Sequence, residues 1–294
     1  MIRNALSIDL EDWFHAELIR PHAGERPVRR VAEATEPILA LLERYGVRAT
    51  FFVVGEVLRD HPQLVRRIYE RGHEVGCHGW SHRPLWALDR AGFIRELEAF
   101  DREAAKVLPV EEVVGFRAPT FSLDERTAWA LEVLRERGFR YDASLFPVRN
   151  RLYGVARCPE RAYCPAAGKL TVGREPGGND LGAGELVELP MTAVRLAGLR
   201  VPVSGGFYLR ATPWPLLKAL AQRVNAEGRP FVLYLHPWEA DAGTPRVGGL
   251  SPLERLVTYY NSGSVLPKLE ALVRSFALAP LRQVLGIEGG RRVI

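Results

Sequence analysis

Short, uniformly apolar runs alternate along the chain with longer segments of helical character. The runs at 5–8, 49–54 and 231–235 have the length and composition of buried strands. The longer segments predict helices at about 31–45, 60–72, 89–107, 122–137, 213–227 and 264–276. Asp60 before Pro62, and Ser122 three residues before Glu125, have the spacing of helix N-terminal caps. This alternation indicates an α/β fold with a parallel sheet, most simply a (β/α) barrel with its functional site at the carboxyl ends of the strands.

The regular alternation stops between residues 149 and 210. Proline, glycine and short β-type segments dominate there, and 176–180 and 185–190 are typical of hairpins or loops. We therefore expect one domain over residues 1–294. Its predicted parts are a barrel (1–148 and 211–276), a β-rich loop and hairpin insertion (149–210) and a C-terminal tail (277–294).

Composition limits the class of protein. The 294 residues are 47% hydrophobic and 26% charged with a net charge of +5, which is ordinary for a globular enzyme and does not favour nucleic-acid binding. No apolar run reaches the roughly 18 residues that a membrane span requires, and no signal peptide is evident, so we expect a cytoplasmic protein. The three cysteines are then expected to be free thiols. The oligomeric state stays open.

Two of the seven histidines, His78 and His82, lie four residues apart just after an apolar stretch. Their imidazoles converge if the segment turns helically as it leaves a strand, and neutral imidazole is a good ligand for zinc, cobalt, nickel or iron. A pair of surface histidines is the alternative. The residues at the ends of other predicted strands favour metal binding.

The first of these strand ends carries Asp9, Glu11 and Asp12. Three carboxylates so close together repel one another unless a cation neutralises them, which a divalent metal would do. Alternatively, Asp9 or Asp12 caps a helix or a turn.

Three further predicted strands end in polar residues. Arg117 precedes a proline by two positions, and its guanidinium is suited to hold a carboxylate in a fixed geometry. Asp142 ends another strand, and His236 ends a buried one, where a histidine can act as a general acid. Each residue alone is also explained by a salt bridge or by core packing.

Together these segments resemble the five motifs of the polysaccharide deacetylase (NodB-homology) family of carbohydrate esterases. The matching residues, in chain order, are Asp9 with Glu11 and Asp12, His78 and His82, Arg117-Ala-Pro, Asp142-Ala-Ser, and Leu233 to His236. The segments 7–14, 141–154 and 204–210 further resemble the branch found in bacterial exopolysaccharide gene clusters, which has a C-terminal extension. The resemblance implies a deformed (β/α) barrel.

The resemblance also implies roles for the motif residues. Asp9 would be the general base, held ionised by Arg117, and His236 the general acid, kept protonated by Asp142. A divalent metal, zinc before cobalt, nickel or iron, would be held by His78, His82 and one carboxylate.

The identity of that carboxylate stays open, because the family usually has two adjacent aspartates whereas Leu10 follows Asp9 here. Strand alternation places Asp9 and Glu11 on the same side. A turn after the strand would instead swing Asp12 inward, and Asp12 is the assignment that we prefer, with Glu11 as the alternative.

The implied activity is metal-dependent removal of N-acetyl groups from a hexosamine-containing polysaccharide or oligosaccharide. Trp13, Trp80, Phe121 and Ser144 lie on the motif loops and are candidate substrate-binding residues, although each aromatic ring also fits core packing. One alternative is an amidohydrolase acting on a small linear or cyclic amide. The intact histidine pair argues against the metal-free forms of such an enzyme. Another is a non-catalytic polysaccharide-binding module, which would have no need of a base, an acid and metal ligands.

Overall fold

The computed structural model describes residues 2–150, 153–177 and 185–287, together with Arg292. Its strands are β1 (Asn4–Leu10), β2 (Thr50–Val53), β3 (Glu74–Cys77), β4 (Gly115–Phe116), β5 (Tyr141–Asp142), β6 (Cys164–Pro165), β7 (Gly173–Arg174), β8 (Val187–Glu188), β9 (Ala193–Leu196), β10 (Leu199–Pro202), β11 (Val232–Leu235) and β12 (Leu278–Ala279). Its α-helices are α1 (Val31–Arg44), α2 (Gly55–Asp60), α3 (Pro62–Glu70), α4 (Arg90–Ala104), α5 (Ala130–Glu136), α6 (Gly206–Ala211), α7 (Trp214–Ala226), α8 (Pro237–Ala240), α9 (Pro252–Tyr259), α10 (Val265–Ser275) and α11 (Leu281–Val284).

One parallel sheet organises the molecule, in the order β11-β1-β2-β3-β4-β5-β8, with β12 also paired to β1. Apolar side chains alternate between its faces: Leu6, Ile8 and Phe51 join a large cluster, whereas Ala5 and Phe52 join a second cluster. Both faces are therefore buried, which explains why these strands are apolar throughout. The α/β barrel-type fold expected from the sequence is confirmed as a parallel half-barrel.

The sheet does not close by strand pairing between β8 and β11 within the described residues. Side chains bridge this edge instead. The backbone N–H of Val232 donates to Thr192 Oγ1 at 2.7 Å, and Ser204 Oγ donates to the carbonyl of Val232. Because a buried strand edge must have its polar groups satisfied, these hydroxyls take the place of a neighbouring strand.

The short strands β8 and β12 lie in segments predicted as insertion and tail. Each of these strands has only two residues, which are too few to give a recognisable alternation. They are identified only by their pairing, β8 with β5 and β12 with β1. The segment 149–210 does hold two antiparallel pairs, β6 with β7 and β9 with β10. The loop predicted at 176–180 and the tail beyond residue 287 lie largely outside the described residues.

Two predicted helix caps are wrong. Asp60 ends α2 and pairs with Arg59 at 2.7 Å, and α3 begins at Pro62 without a side-chain cap. Ser122 accepts a hydrogen bond from Leu85 N at 2.9 Å, and the helix predicted to start there begins at Ala130. In both cases a tertiary or neighbouring contact competes with the local capping interaction.

Cys77, Cys158 and Cys164 are free and buried. Burial raises the pKa of Cys77 and Cys158, so these thiols are poor nucleophiles. Among the described residues, no helix combines the length and apolar character that crossing a bilayer requires.

Candidate active site

Polar residues from the carboxyl ends of β1, β3, β4 and β11 meet at one edge of the sheet. A cavity of about 150 Å³ lies there, and its lining includes Asp9, Glu11, His78, His82 and His236. Parallel strands place their carboxyl ends together, so residues far apart in sequence come into contact.

Glu11, His78 and His82 form a candidate metal centre. All three are buried, and one ligand atom from each lies within 4.8 Å of the others. Glu11 Oε2 is 2.6 Å from His82 Nε2, so the carboxylate and this imidazole face each other directly. The donor set of two imidazoles and one carboxylate suits zinc and related metals.

The hydrogen bond of His78 sets its tautomer. His78 Nδ1 lies 2.8 Å from the carbonyl of Arg117, which can only accept, so Nδ1 carries the proton and the Nε2 lone pair is available to a metal. Burial lowers the pKa of His78 to about 4, although the nearby Asp9 carboxylate opposes this. His78 is therefore neutral, the form that binds metals.

The loop that carries both histidines is not a helical turn, contrary to the geometry expected from their spacing. Gly79 and His82 have left-handed backbone conformations, with φ of 72° and 53°. Glu96 on α4 stabilises the loop by accepting hydrogen bonds from Trp80 N at 2.9 Å and from Ser81 N at 2.8 Å. Sequence reasoning missed Glu96, because no local pattern connects it to the loop.

The expected preference for Asp12 as a metal ligand disagrees with the structure. The Asp12 carboxylate accepts hydrogen bonds from the backbone N–H groups of Trp13, Arg30 and Val31 at 2.9 to 3.2 Å and caps a short 3-10 helix. Strand β1 remains extended through Leu10, so Glu11 emerges with Asp9 on the side of the cavity.

Asp9 lies at the centre of the cleft and is held by Arg117. The Arg117 guanidinium is fully buried and donates from Nη1 to Asp9 Oδ1 at 2.5 Å and to Ser7 Oγ at 2.8 Å. The other carboxylate oxygen, Oδ2, lies 3.9 Å from Nε2 of both His78 and His236. Asp9 therefore has one oxygen fixed by a cation and one directed at the candidate ligand and acid.

His236 is paired with Glu239, not with Asp142 as the sequence suggested. Its Nδ1 lies 3.0 Å from Glu239 Oε2, and the other oxygen of Glu239 accepts from buried Arg210 at 3.0 Å. Burial by itself lowers the pKa of His236, but the carboxylates of Glu11, Glu239 and Asp9 raise it to about 9. His236 is thus protonated at neutral pH.

The surrounding residues leave space for the Glu239 carboxylate and keep it charged. A side chain at Gly206, at the start of α6, would overlap the Glu239 oxygens, so only glycine fits there. Burial raises the pKa of Glu239, but Arg210 and His236 lower it to about 2 and keep it charged. The spacing His236-Pro237-x-Glu239 is that of a capping box with proline at the first helical position, a sequence signal that could have identified Glu239.

Asp142 belongs to a separate buried group. It accepts from Ser144 Oγ at 2.5 Å and lies opposite Glu188 in the register of β5 and β8. Burial raises the pKa of both carboxyls, and the charge of Asp142 raises that of Glu188 further. Ser144 also accepts from Ala118 N at 2.7 Å, so both residues link strand ends beneath the site.

Of the four candidate substrate-binding residues, only Phe121 lines the cavity. Trp13 is buried and donates to the carbonyl of Val28 at 2.8 Å, and Trp80 packs against Gly55 away from the cavity. Trp238, which is also buried, lines the cavity instead: it stacks on His236 with ring centroids 5.3 Å apart and donates to Glu11 Oε1 at 3.0 Å.

Comparison with known proteins gives two family matches. The family described as polysaccharide deacetylase matches residues 25–141. Through these residues the chain is similar to the polysaccharide deacetylase family. A second family, described as a domain of unknown function (DUF3473), matches residues 143–286. The polysaccharide deacetylase region contains His78, His82 and Arg117, whereas His236, Glu239 and Arg210 lie in the DUF3473 region.

A chitooligosaccharide deacetylase of Sinorhizobium fredii is 38% identical over 85 residues, which are 29% of this chain and 40% of that protein. The chain spans about a third of the length of other curated relatives that it matches.

Two solved structures share the fold. A Mycobacterium smegmatis protein named "putative polysaccharide deacetylase" has a TM-score of 0.55 at 19% identity, over 96% of this chain and 89% of its own. Puue allantoinase has a TM-score of 0.58 at 15% identity, over 97% and 89%. At such identities the likeness concerns the fold alone, and it does not separate a sugar deacetylase from a small-amide hydrolase.

Proposed function

We propose that this protein is a metal-dependent deacetylase that hydrolyses the N-acetyl groups of a hexosamine-containing polysaccharide or oligosaccharide, with zinc as its metal. The observation that carries the proposal is the placement of Glu11, His78 and His82 beside the Asp9–Arg117 pair and the His236–Glu239 pair in one buried cleft. This combination provides a metal centre, a base and an acid. Zinc and a role in exopolysaccharide biosynthesis stay predictions from the sequence.

Asp9 is suited to remove a proton from the attacking water. A divalent cation held by Glu11, His78 and His82 would polarise the acetamide carbonyl and lower the pKa of a water molecule. Asp9 Oδ2 faces the candidate centre, and Arg117 fixes the other oxygen, so the carboxylate keeps its orientation while it accepts the proton.

His236 is suited to protonate the leaving amine. Its hydrogen bond to the Glu239 carboxylate raises its pKa and favours the form that carries the proton before the C–N bond breaks. Glu239 holds Nδ1 and leaves Nε2 facing Asp9 at 3.9 Å, so the base and the acid flank the same space. The acetyl group then leaves as acetate and the sugar keeps a free amine.

The surroundings of the cavity favour a sugar chain over a small amide. The cavity of about 150 Å³ shares Phe121 and Tyr153 with a neighbouring groove of about 430 Å³, so an occupant of the site can extend beyond it. A small amide would use the inner cavity only.

Acetate release tests the proposal. The purified protein is stripped with a chelator, reloaded with zinc, and assayed on chitohexaose and on allantoin. We expect acetate from chitohexaose by the zinc-loaded form only. Release by the stripped protein would contradict metal dependence, hydrolysis of allantoin alone would indicate a small-amide hydrolase, and binding of chitohexaose without turnover would indicate a non-catalytic module.

A further inference from the structure

Two large grooves adjoin the catalytic cavity, and their lining comes from both matched regions. The first, of about 430 Å³, shares Phe121 and Tyr153 with the cavity. The second, of about 760 Å³, shares Arg149, Asn150 and Arg157 with the first. The cavity and the two grooves therefore adjoin one another, and the two grooves are within the size range of ligand sites.

Arginines dominate the two grooves, which we call the arginine groove. Its lining arginines are Arg126, Arg149, Arg157, Arg195 and Arg200. The nearby carboxylates are Asp124, which binds Arg126 at 2.6 Å, Glu160, which binds Arg195 at 3.0 Å and Arg200 at 2.6 Å, and Glu125 in the lining. Five arginines against three carboxylates leave an excess of two positive charges.

Arg149 and Arg157 carry that excess. Both are exposed, and neither has an ion-pair partner among the residues that the structure describes. They lie in the part shared by the two grooves, so a chain running through both would pass them. An unpaired guanidinium in a groove is suited to bind a carboxylate with two parallel hydrogen bonds.

Trp86 adds an aromatic surface. It lines the first groove and is 36% exposed, unlike the buried Trp13. An indole presents a flat apolar face together with a polar N–H group, which suits the face of a sugar ring. The arginine groove thus combines groups for sugar rings with groups for negative charge.

We propose that the arginine groove binds an acidic glycan, a polymer in which acetylated hexosamines are joined to sugars that bear carboxylates. This inference rests on the proposed deacetylase function and names its substrate class. The cavity is lined by Asp9, Glu11 and Glu239 and suits an uncharged N-acetylhexosamine, whereas the arginine groove suits the acidic sugars on its reducing or non-reducing side. Nucleic acid fits less well, because its phosphates would run from the groove towards these carboxylates.

Binding of two hexasaccharides of equal length tests the inference. The acidic probe is a hyaluronan hexasaccharide, in which N-acetylglucosamine alternates with glucuronate, and the neutral probe is chitohexaose. We expect the full chain to bind the acidic probe at least tenfold more tightly at low salt, and added salt to reduce the difference. Arg149→Gln/Arg157→Gln should remove this preference and change the affinity for chitohexaose by less than twofold.

Arg102→Gln/Arg255→Gln is the matched control, since both arginines are exposed and lie on α4 and α9, outside the groove. Equal affinity of the wild type for both probes, or an unchanged preference in the Arg149/Arg157 variant, would overturn the inference. Equally tight, Arg149-dependent binding of a single-stranded DNA hexamer would also overturn it in favour of a general polyanion site.

Acetate release, measured in parallel, separates the two proposals. If chitohexaose is deacetylated without a preference for the acidic probe, the deacetylase function stands and the acidic-glycan inference fails. If the acidic probe binds through Arg149 and Arg157 but no substrate releases acetate, the groove is a glycan site and the proposed catalysis fails.

Discussion

His78 and His236 lie at the same distance, 3.9 Å, from the same oxygen of Asp9, yet their protonation differs. Burial lowers the pKa of His78 to about 4, whereas carboxylates outweigh burial and raise that of His236 to about 9. The partner of Nδ1 differs accordingly: a backbone carbonyl for His78 and the Glu239 carboxylate for His236. The comparison teaches that burial and the surrounding carboxylates, including the partner of Nδ1, decide whether an imidazole is suited to bind metal or to donate a proton.

The same comparison separates the two matched regions. His78 belongs to the polysaccharide deacetylase region and His236 to the DUF3473 region. Parallel pairing of β1 with β2 on one side and with β11 on the other brings them together. The site therefore combines Asp9 and Glu11, which precede both regions, with residues of each region, and neither region contains both the histidine ligands and the candidate acid.

The largest effect on activity is expected when a candidate metal ligand is replaced. His78→Ala should lose bound zinc and lower kcat by roughly 10⁴-fold or more, because the metal supplies several kcal/mol of transition-state stabilisation. Metal content after dialysis and acetate release measure this. His73→Ala, a buried histidine just before β3, is the matched control and should keep the metal. Stoichiometric zinc in His78→Ala would remove this residue from the ligand set.

Replacing the candidate general acid should lower activity without lowering the zinc content. His236→Ala is expected to keep zinc and to lower kcat by roughly 10²-fold or more, since it removes a proton donor and not a ligand. Zinc titration and steady-state kinetics on the same preparation check this. Loss of zinc comparable to that of His78→Ala would show that the two histidines share one role.

A smaller effect is expected when the partner of His236 is neutralised. Glu239→Gln should lower kcat by roughly tenfold at neutral pH, because a carboxamide stabilises the imidazolium less than a carboxylate does. A general acid must be protonated, so activity should fall as the pH rises through the pKa of His236, which the Glu239 carboxylate helps to raise. Without the Glu239 charge this pKa is lower, and the fall should begin at lower pH.

The pH dependence of kcat provides the measurement. Glu25→Gln, which changes an exposed carboxylate, is the control and should leave the profile in place. An identical alkaline limb in Glu239→Gln and the native protein would mean that Glu239 acts on structure and not on His236.

The smallest effect is expected at Asp12. Asp12→Ala should cost about 1 kcal/mol of stability through the lost helix cap, with zinc affinity nearly unchanged. Glu11→Ala should lower zinc affinity by orders of magnitude, because it removes a ligand. Calorimetric zinc titration and urea unfolding of the two variants give both quantities. Reversed zinc affinities would move the ligand to Asp12.

Much of the fold could be predicted because its signals are local. The apolar runs predicted β1, β2 and β11, and the helix predicted at 31–45 corresponds to α1 at Val31–Arg44. Strands of two residues, such as β8, have no detectable periodicity and are defined only by a neighbour. The predicted caps at Asp60 and Ser122 failed because other contacts compete for the same side chains.

The candidate site could be predicted in part for a related reason. Asp9, His78, Arg117 and His236 follow apolar strands, and parallel strands place such residues at one edge. The partner of each residue was less accessible to sequence reasoning. Glu239 replaces Asp142 beside His236, and Glu11 replaces Asp12 beside the histidines, because side-chain direction depends on where the chain leaves the strand.

The sequence by itself determined the longer apolar strands, the main helices and the chemical groups at the strand ends, since these follow from hydrophobic patterning and residue type. Only the tertiary structure decided how those groups are paired. Burial and neighbouring charge, which no local pattern specifies, give His78 and His236 opposite protonation. The position of Arg149 and Arg157 was also decided by the tertiary structure, because the grooves form only where residues 121–126, 147–150, 153–157 and 195–202 come together.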